Sequence, residues 1–291
     1  MESKLITIMT PTYNRANLLI RLYESLNRQK YTDKFEWLIV DDGSSDNTKE
    51  TIDNIKKETK LNVRYIYQKN AGKYKAVNTG INTSKGELFF CVDSDDYLAD
   101  DAIENIFNTY KKIQGDNVAG ILALKSDLNN NILANKIPRN IEYINTYLIE
   151  KMCRGEWSLI YKTSILKQYL FPDVGNEKFV TECVVYDRIA QKYKMYVLNK
   201  ILTICEYQDD GLTQNIFKTM INNPTGYKIY HMQRIDMADK LKLRIKHIMS
   251  YHAFRKMSDN KKYQYEGKHK LLVNLLCFTG LLGKVYYKRR L

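Results

Sequence analysis

The sequence predicts an α/β fold: a doubly wound, mixed and mainly parallel sheet flanked by helices, with a helical extension at its C-terminal end. Three observations lead there. Four short apolar segments within the first 115 residues are separated by stretches of helical periodicity. Alternating strands and helices imply right-handed crossovers and hence parallel neighbours. Polar groups follow each apolar segment, and open α/β sheets bind ligands beyond the carboxyl ends of their strands.

The elements follow in order. Leu5–Thr10 reads as the first strand, and Ala16–Arg28 carries Leu18, Leu19, Leu22 and Leu26 at helical spacing. Phe35–Val40 is the second strand and runs into Asp41-Asp42-Gly43-Ser44-Ser45. Asp46–Glu58 is a polar helix with Ser45 or Asp46 as its cap. Val63–Tyr67 is a strand, Lys73–Asn82 a helix, Leu88–Val92 the fourth strand and Asp100–Lys112 a helix. Downstream the signals mix. Gly120–Leu124 and Gly155–Tyr161 are strands, Asn129–Asn131 a turn, Glu177–Tyr193 helical after Phe179, and Tyr196–Glu206 a late strand. From Gln214 the chain turns basic, tyrosine-rich and helical, so domains of 1–213 and 214–291 are expected.

Hydrophobic and charged contents of 44% and 27% are those of a folded soluble protein. A net charge of +13 points to an anionic partner: nucleotide, nucleic acid or acidic membrane surface. The cysteines at 91, 153, 183, 205 and 277 form no C-x-x-C pair, and none lies near a histidine at metal-site spacing. They are expected to be reduced thiols of a cytoplasmic protein. Met-Glu-Ser-Lys leads straight into a strand, so no signal peptide is expected, and no run of 18 apolar residues spans a membrane.

The richest segment is Gly86–Asp96, where an apolar strand ends in Asp93, Asp95 and Asp96. Like charges so crowded repel one another unless a cation sits among them. Asp93 and Asp95, two apart, can turn to one side and offer hard oxygens to Mg²⁺ or Mn²⁺, with room for a substrate diphosphate. The other strands end in Pro11-Thr-Tyr-Asn-Arg15, Asp41-Asp42 and Lys69-Asn-Ala-Gly-Lys73, so four strand ends collect chemistry at one rim. No G-x-G-x-x-G or G-x-x-x-x-G-K-[ST] occurs, which argues against dinucleotide and P-loop folds. A nucleotidyltransferase's glycine-rich loop is replaced by Pro-Thr-Tyr-Asn.

Over about residues 4–213 these motifs, with Val40-Asp-Asp-Gly-Ser-Ser-Asp46, Asn70-Ala-Gly-Lys73, Asn78 and Asp93-Ser-Asp95, resemble the inverting family 2 glycosyltransferases of GT-A fold. The resemblance implies a nucleoside-diphosphate sugar, most often UDP-linked, and a divalent metal, Mn²⁺ or Mg²⁺. It implies a donor site of Pro11, Tyr13, Arg15, Asp42, Asn70, Lys73, Asp93 and Ser94. Tyr13 would stack on the base and Asp42 accept from a uracil N–H, with Asp41 structural. Arg15, Asn70 and Lys73 would donate to base, ribose or diphosphate. Asp93 would meet ribose or metal, and Asp95 the metal. The general base that an inverting transfer needs would lie in Glu177–Asp187. Glu182 is the candidate. Cys183 stands where many members carry a second acid, and a thiol of ordinary pKa makes a poor base. Asp187 is the fallback, or else a surface ion pair. Trp157 could pack on an acceptor sugar, and Asp209–Thr213 resembles a loop closing over the diphosphate.

All four histidines, 231, 247, 252 and 269, fall in the C-terminal part and are expected at the surface or at caps. Leu271–Leu282 followed by Lys284, Lys288, Arg289 and Arg290 suits an interfacial helix on anionic lipid, or a helix docked on the protein or on a second subunit. The expectation is thus an inverting hexosyl- or N-acetylhexosaminyltransferase. It would act with UDP-sugar on a glycan or lipid-linked glycan of a cell-surface polymer, in the cytoplasm or peripherally on the inner membrane face. A donor-binding domain without transfer, prompted by Cys183, is the first alternative. A basic, tyrosine-rich nucleic-acid binder is the second, opposed by an acidic rim that repels phosphate.

Overall fold

The computed structural model describes residues 5–290 except 136, 139, 154 and 207–215. They fall into two compact units, one from 1–170 with 188–208 and the other from 171–187 with 209–291. The break is therefore not a single cut at 213. Segment 171–187 packs with the C-terminal helices, where Phe179 stacks on Tyr227 at 6.0 Å between centroids.

In chain order the first stretch contains β1 (Ile6–Thr12), α1 (Ala16–Asn27), β2 (Phe35–Asp41), α2 (Thr48–Glu58), β3 (Val63–Tyr67), α3 (Lys73–Thr83) and β4 (Leu88–Cys91). There follow β5 (Tyr97–Leu98), α4 (Ala102–Tyr110), β6 (Val118–Ser126), β7 (Tyr143–Ile144), α5 (Thr146–Met152), β8 (Trp157–Lys162), α6 (Thr163–Leu166), α7 (Cys183–Ala190) and β9 (Lys194–Ile204). The sheet order is β3-β2-β1-β4-β8-β6-β9-β5, with β7 on β9. β1 through β4 pair in parallel, as the alternating signals require. β8 then runs antiparallel to both β4 and β6, which makes the sheet mixed.

β1 is central and buried throughout. Leu19, Leu22 and Leu26 of α1 close its core against Ile6, Ile8, Trp37 and Phe90. Each such burial contributes roughly 1.5–3 kcal/mol. The threonines of β1 tie the sheet laterally: Trp37 Nε1 donates to Thr10 at 3.0 Å, and Thr7 donates to Glu36 at 2.7 Å. Neither Ser45 nor Asp46 is the cap of α2: Asn47 holds that position, and Asp46 before it accepts from the Thr48 N–H at 3.1 Å.

The second unit holds α8 (Ile216–Asn222), α9 (Pro224–Met237), α10 (Leu241–Met257), α11 (Lys270–Leu275) and α12 (Thr279–Lys288) around Ile235, Ile248, Tyr251, Tyr265 and Val273. The helix expected after Phe179 starts only at Cys183, because the preceding segment is claimed by tertiary partners. Glu177 accepts from Thr225 and Gly226 N–H at 2.8 and 3.1 Å, satisfying the open amides of α9. Asn223 Oδ1 accepts from Lys178 and Phe179 N–H. The histidines correct another expectation, for His231, His247 and His252 are buried. His231 and His247 meet Nδ1 to Nδ1 at 3.0 Å, and His252 Nε2 donates to Val273 O. Burial first, then His247, holds His231 well below the ordinary histidine range, so it stays neutral.

Candidate active site

The carboxyl ends of β1, β2 and β4 and the loop after β3 form one rim within the first unit. Asn14, at φ +53°, links the first two: its N–H donates to Ser44 Oγ at 2.9 Å, and its Oδ1 accepts from Ser45 N–H at 2.8 Å. Tyr13 beside it is half exposed, with its ring open to solvent. Pro11 is buried opposite Val40, and Arg15 opens α1. At the end of β1, the buried Thr12 hydroxyl has no hydrogen-bond partner among the described residues. Such an atom leaves a donor or acceptor for something else.

The Asp41–Asp42 pair is buried and held by hydrogen bonds. Asp41 accepts from Ser44 N–H and Tyr65 OH at 2.8 and 2.7 Å. Asp42 accepts from Gln68 Nε2, Ala71 N–H and Gly72 N–H at 2.7, 2.9 and 2.7 Å. A carboxylate has about four lone-pair sites, so Asp42 keeps about one for a ligand. Gly43, at φ +86°, lets this loop pass; a Cβ there would meet Asn70 N at 2.6 Å. The loop carries Asn70 to the rim and starts α3 at Lys73.

The Asp93–Asp96 cluster is built differently. Lys73 Nζ reaches Asp93 at 2.9 Å, and Lys125 Nζ reaches Asp96 at 2.9 Å. Asp95 forms no ion pair among the described residues. Instead its backbone carbonyl accepts from Arg21 NH2 at 2.9 Å. Arg21 also pairs with Glu206 and lies over the Tyr97 ring. Burial works against ionised Asp93, but Lys73 and Lys125 outweigh it and hold its carboxyl low. Burial, then the charges of Asp93 and Asp96, push Asp95 up. Burial likewise raises Asp96, and Lys125 offsets this only in part. Ser94 is buried between them.

Among the described residues no group of three or more His, Cys, Asp or Glu forms an all-protein metal cage. Asp93 and Asp95 are the pair able to hold a cation. One or two carboxylates, completed by substrate phosphates, is how Mg²⁺ is commonly held, and this donor set fits that pattern.

Trp157, partly exposed, opens β8; because β8 is antiparallel to β4, it lies at the rim end of the sheet. Glu182 belongs to the second unit and immediately precedes α7, whose first turn its carbonyl accepts from Val185 and Tyr186 N–H. Asp187 corrects the expectation of a surface ion pair. It is buried and gripped by Arg234 through Nε and NH2 at 2.7 and 3.1 Å. The expected closing loop, Asp209–Thr213, lies outside the described residues. A cleft of about 410 Å³ lined by Lys85, Glu87, Tyr110, Lys162 and Lys167 sits at the amino end of β4, away from the rim. Arg21, Lys125 and Thr12 are additions that sequence reading passed over. Lys125 left one signal, a lone charge in an otherwise apolar strand.

A family model described as Glycosyl transferase family 2 matches residues 7–173, from β1 past β8. The chain belongs to glycosyl transferase family 2. TarP of Staphylococcus aureus, a poly(ribitol-phosphate) beta-N-acetylglucosaminyltransferase, is 29% identical over 305 residues, covering 97% of this chain and 89% of TarP. Glycosyltransferases GlyG and GlyA of Streptococcus pneumoniae are both 35% identical, over 119 and 115 residues, each 40% of this chain. Those matches span only 39% of GlyG and 16% of GlyA. Among solved structures, S. aureus TarS 1–349 superposes with a TM-score of 0.60 at 17% identity, over 98% of this chain and 91% of that one. The fold is thus GT-A, as this family 2 member's motifs imply.

Proposed function

We propose that this family 2 member is an inverting glycosyltransferase that moves a sugar from a UDP-sugar to a hydroxyl of a cell-surface glycan. The observation that carries the reading is Asp95, a carboxylate with no ion pair among the described residues, raised by burial and then by Asp93 and Asp96, which lysines already pair. TarS has been crystallised with UDP and with UDP-GlcNAc, and a fold relative from Pyrobaculum calidifontis with GDP-Man and Mn²⁺. TarP is named for transfer to poly(ribitol-phosphate), and a glucosyltransferase of Campylobacter jejuni for transfer to GalNAc(5)-diNAcBac-PP-undecaprenol.

Tyr13 offers a flat ring for the base, Asp42 its remaining lone pair for a uracil N–H, and Arg15 and Asn70 donors for ribose or phosphate. Lys73 is placed to shift from Asp93 to the diphosphate. Mn²⁺ or Mg²⁺ on Asp95 and Asp93 would supply Lewis-acid neutralisation of the leaving diphosphate. Trp157 gives an acceptor sugar an apolar face. Glu182 takes the acceptor hydroxyl proton. The grip of Arg234 withdraws Asp187 from that role.

The test is release of nucleoside diphosphate from a panel of UDP-, GDP- and dTDP-sugars, with Mn²⁺ or with EDTA. EDTA-sensitive turnover of a UDP-sugar is expected. Turnover indifferent to EDTA would remove the metal from the reading, and a GDP- or dTDP-sugar would overturn the donor. With an acceptor present, Glu182→Gln should keep donor affinity and slow transfer about 10²–10⁴-fold. Full turnover in that variant places the base elsewhere. Donor binding with no transfer in the unaltered protein would favour the binding-only reading.

A further inference from the structure

The last C-terminal helix carries its side chains the wrong way round for an ordinary surface helix. A helix on a globular protein turns its apolar stripe to the core and its polar face to water. α12 turns glycines inward instead. A Cβ on Gly280 would meet the His252 carbonyl of α10 at 2.8 Å, and one on Gly283 would meet Ala253 Cβ at 2.7 Å. These two glycines, with buried Thr279, let α12 lie close on α10. α11 buries Val273 and packs Leu272 and, at its C-cap, Leu276 partly against the same core, and its other leucines do not follow them. The large apolar side chains face out: Leu271, Leu275, Phe278, Leu281 and Leu282 are 61–88% exposed, and Val285 continues the patch. An exposed contiguous apolar face of this kind marks an interaction site.

Charge selects the occupant. From 267 to 290 the chain holds six cations, Lys268, Lys270, Lys284, Lys288, Arg289 and Arg290, and no carboxylate. A self-complementary contact between two copies would set these six cations against each other with Glu266 as the one acid beside them in sequence, and like-charge juxtaposition is costly. An anionic lipid surface answers all of them at once. Leucines and a phenylalanine entering the acyl boundary, with lysines and arginines at the headgroups, is the chemistry of a helix lying in the plane of a bilayer. No described helix is long and apolar enough to cross a membrane, so the contact would be one of lying on it.

We propose that the outer face of α11 and α12 is a docking surface for a bilayer bearing anionic phospholipid. The proposal stands apart from the donor chemistry and is tested without it.

The experiment is flotation of the full chain with vesicles of phosphatidylcholine alone or mixed with phosphatidylglycerol, alongside light scattering without lipid. The chain is expected to float with the mixed vesicles only. Leu281→Glu with Leu282→Glu should abolish flotation. Lys288→Ala, Arg289→Ala and Arg290→Ala together should weaken it on the order of a hundredfold, at about tenfold per 1.4 kcal/mol and about 1 kcal/mol per cation. All five positions are exposed, so melting should be unchanged, which separates lost docking from lost folding. No flotation with either vesicle overturns the proposal, as does flotation that survives both variants. An oligomer without lipid that Leu281→Glu with Leu282→Glu dissociates also overturns it, and names a second copy as the occupant.

Discussion

Asp41–Asp42 and Asp93–Asp96 look alike in the sequence: both are runs of aspartate at the end of a buried strand. The structure separates them. The first run is answered by hydrogen bonds that no ligand can replace: backbone N–H groups of Ser44, Ala71 and Gly72, with Tyr65 and Gln68. It fixes where the loop of Asn70 and the start of α3 lie. The second run is answered by the ammonium groups of Lys73 and Lys125, and Asp95 is left over. A mobile ammonium can yield to another cation, whereas a backbone amide cannot move without its loop. Aspartates held by backbone shape a site; aspartates held by lysines, or by nothing, are free to serve in it.

That contrast can be broken by substitution. The largest effect is expected at Asp95→Ala. With its cation ligand gone, transfer should fall about a thousandfold or more in a steady-state assay with Mn²⁺. Normal transfer would place the cation, or the need for one, elsewhere. Next comes Asp42→Ala, which strands two backbone donors and an amide in a buried loop. Its denaturation midpoint should report a loss of about 3 kcal/mol. A stable Asp42→Ala protein that only loses donor affinity would move Asp42 into the second class. The smallest effect sharpens the comparison most. Without metal, Asp95→Ala should leave stability within about 0.5 kcal/mol, because no ion pair among the described residues is lost and repulsion is relieved. A loss matching that of Asp42→Ala would erase the distinction between the two runs.

Much of the first unit was legible because it is local. Strands such as Val63–Tyr67 and helices such as Ala16–Asn27 announce themselves by length and period. Elements that exist only through distant partners were not. β5 is two residues long and is a strand because Tyr97 pairs with Ile204. α7 is short because Asn223 and α9 claim the segment before it. The histidines looked like surface groups because the facing His231 and His247 lie on different helices, and period alone does not say which face meets which. Lys125 and Arg21 were hidden for the same reason: one sits in an apolar strand, the other on a helix, and their carboxylate partners are 29 and 185 residues away.

By itself the sequence determined the first four strands and the helices between them, the polar rim where those strands end, and the family. Each depends on patterns within about a dozen residues, which the chain carries wherever it folds. Only the tertiary structure decided which aspartate is structural and which is spare, that Asp187 is bound by Arg234, and that α12 faces its glycines inward and its leucines out. Those are questions of partnership. A carboxylate's role is set by the donors that reach it, and a helix face is named by what it touches, and both come from residues far apart along the chain.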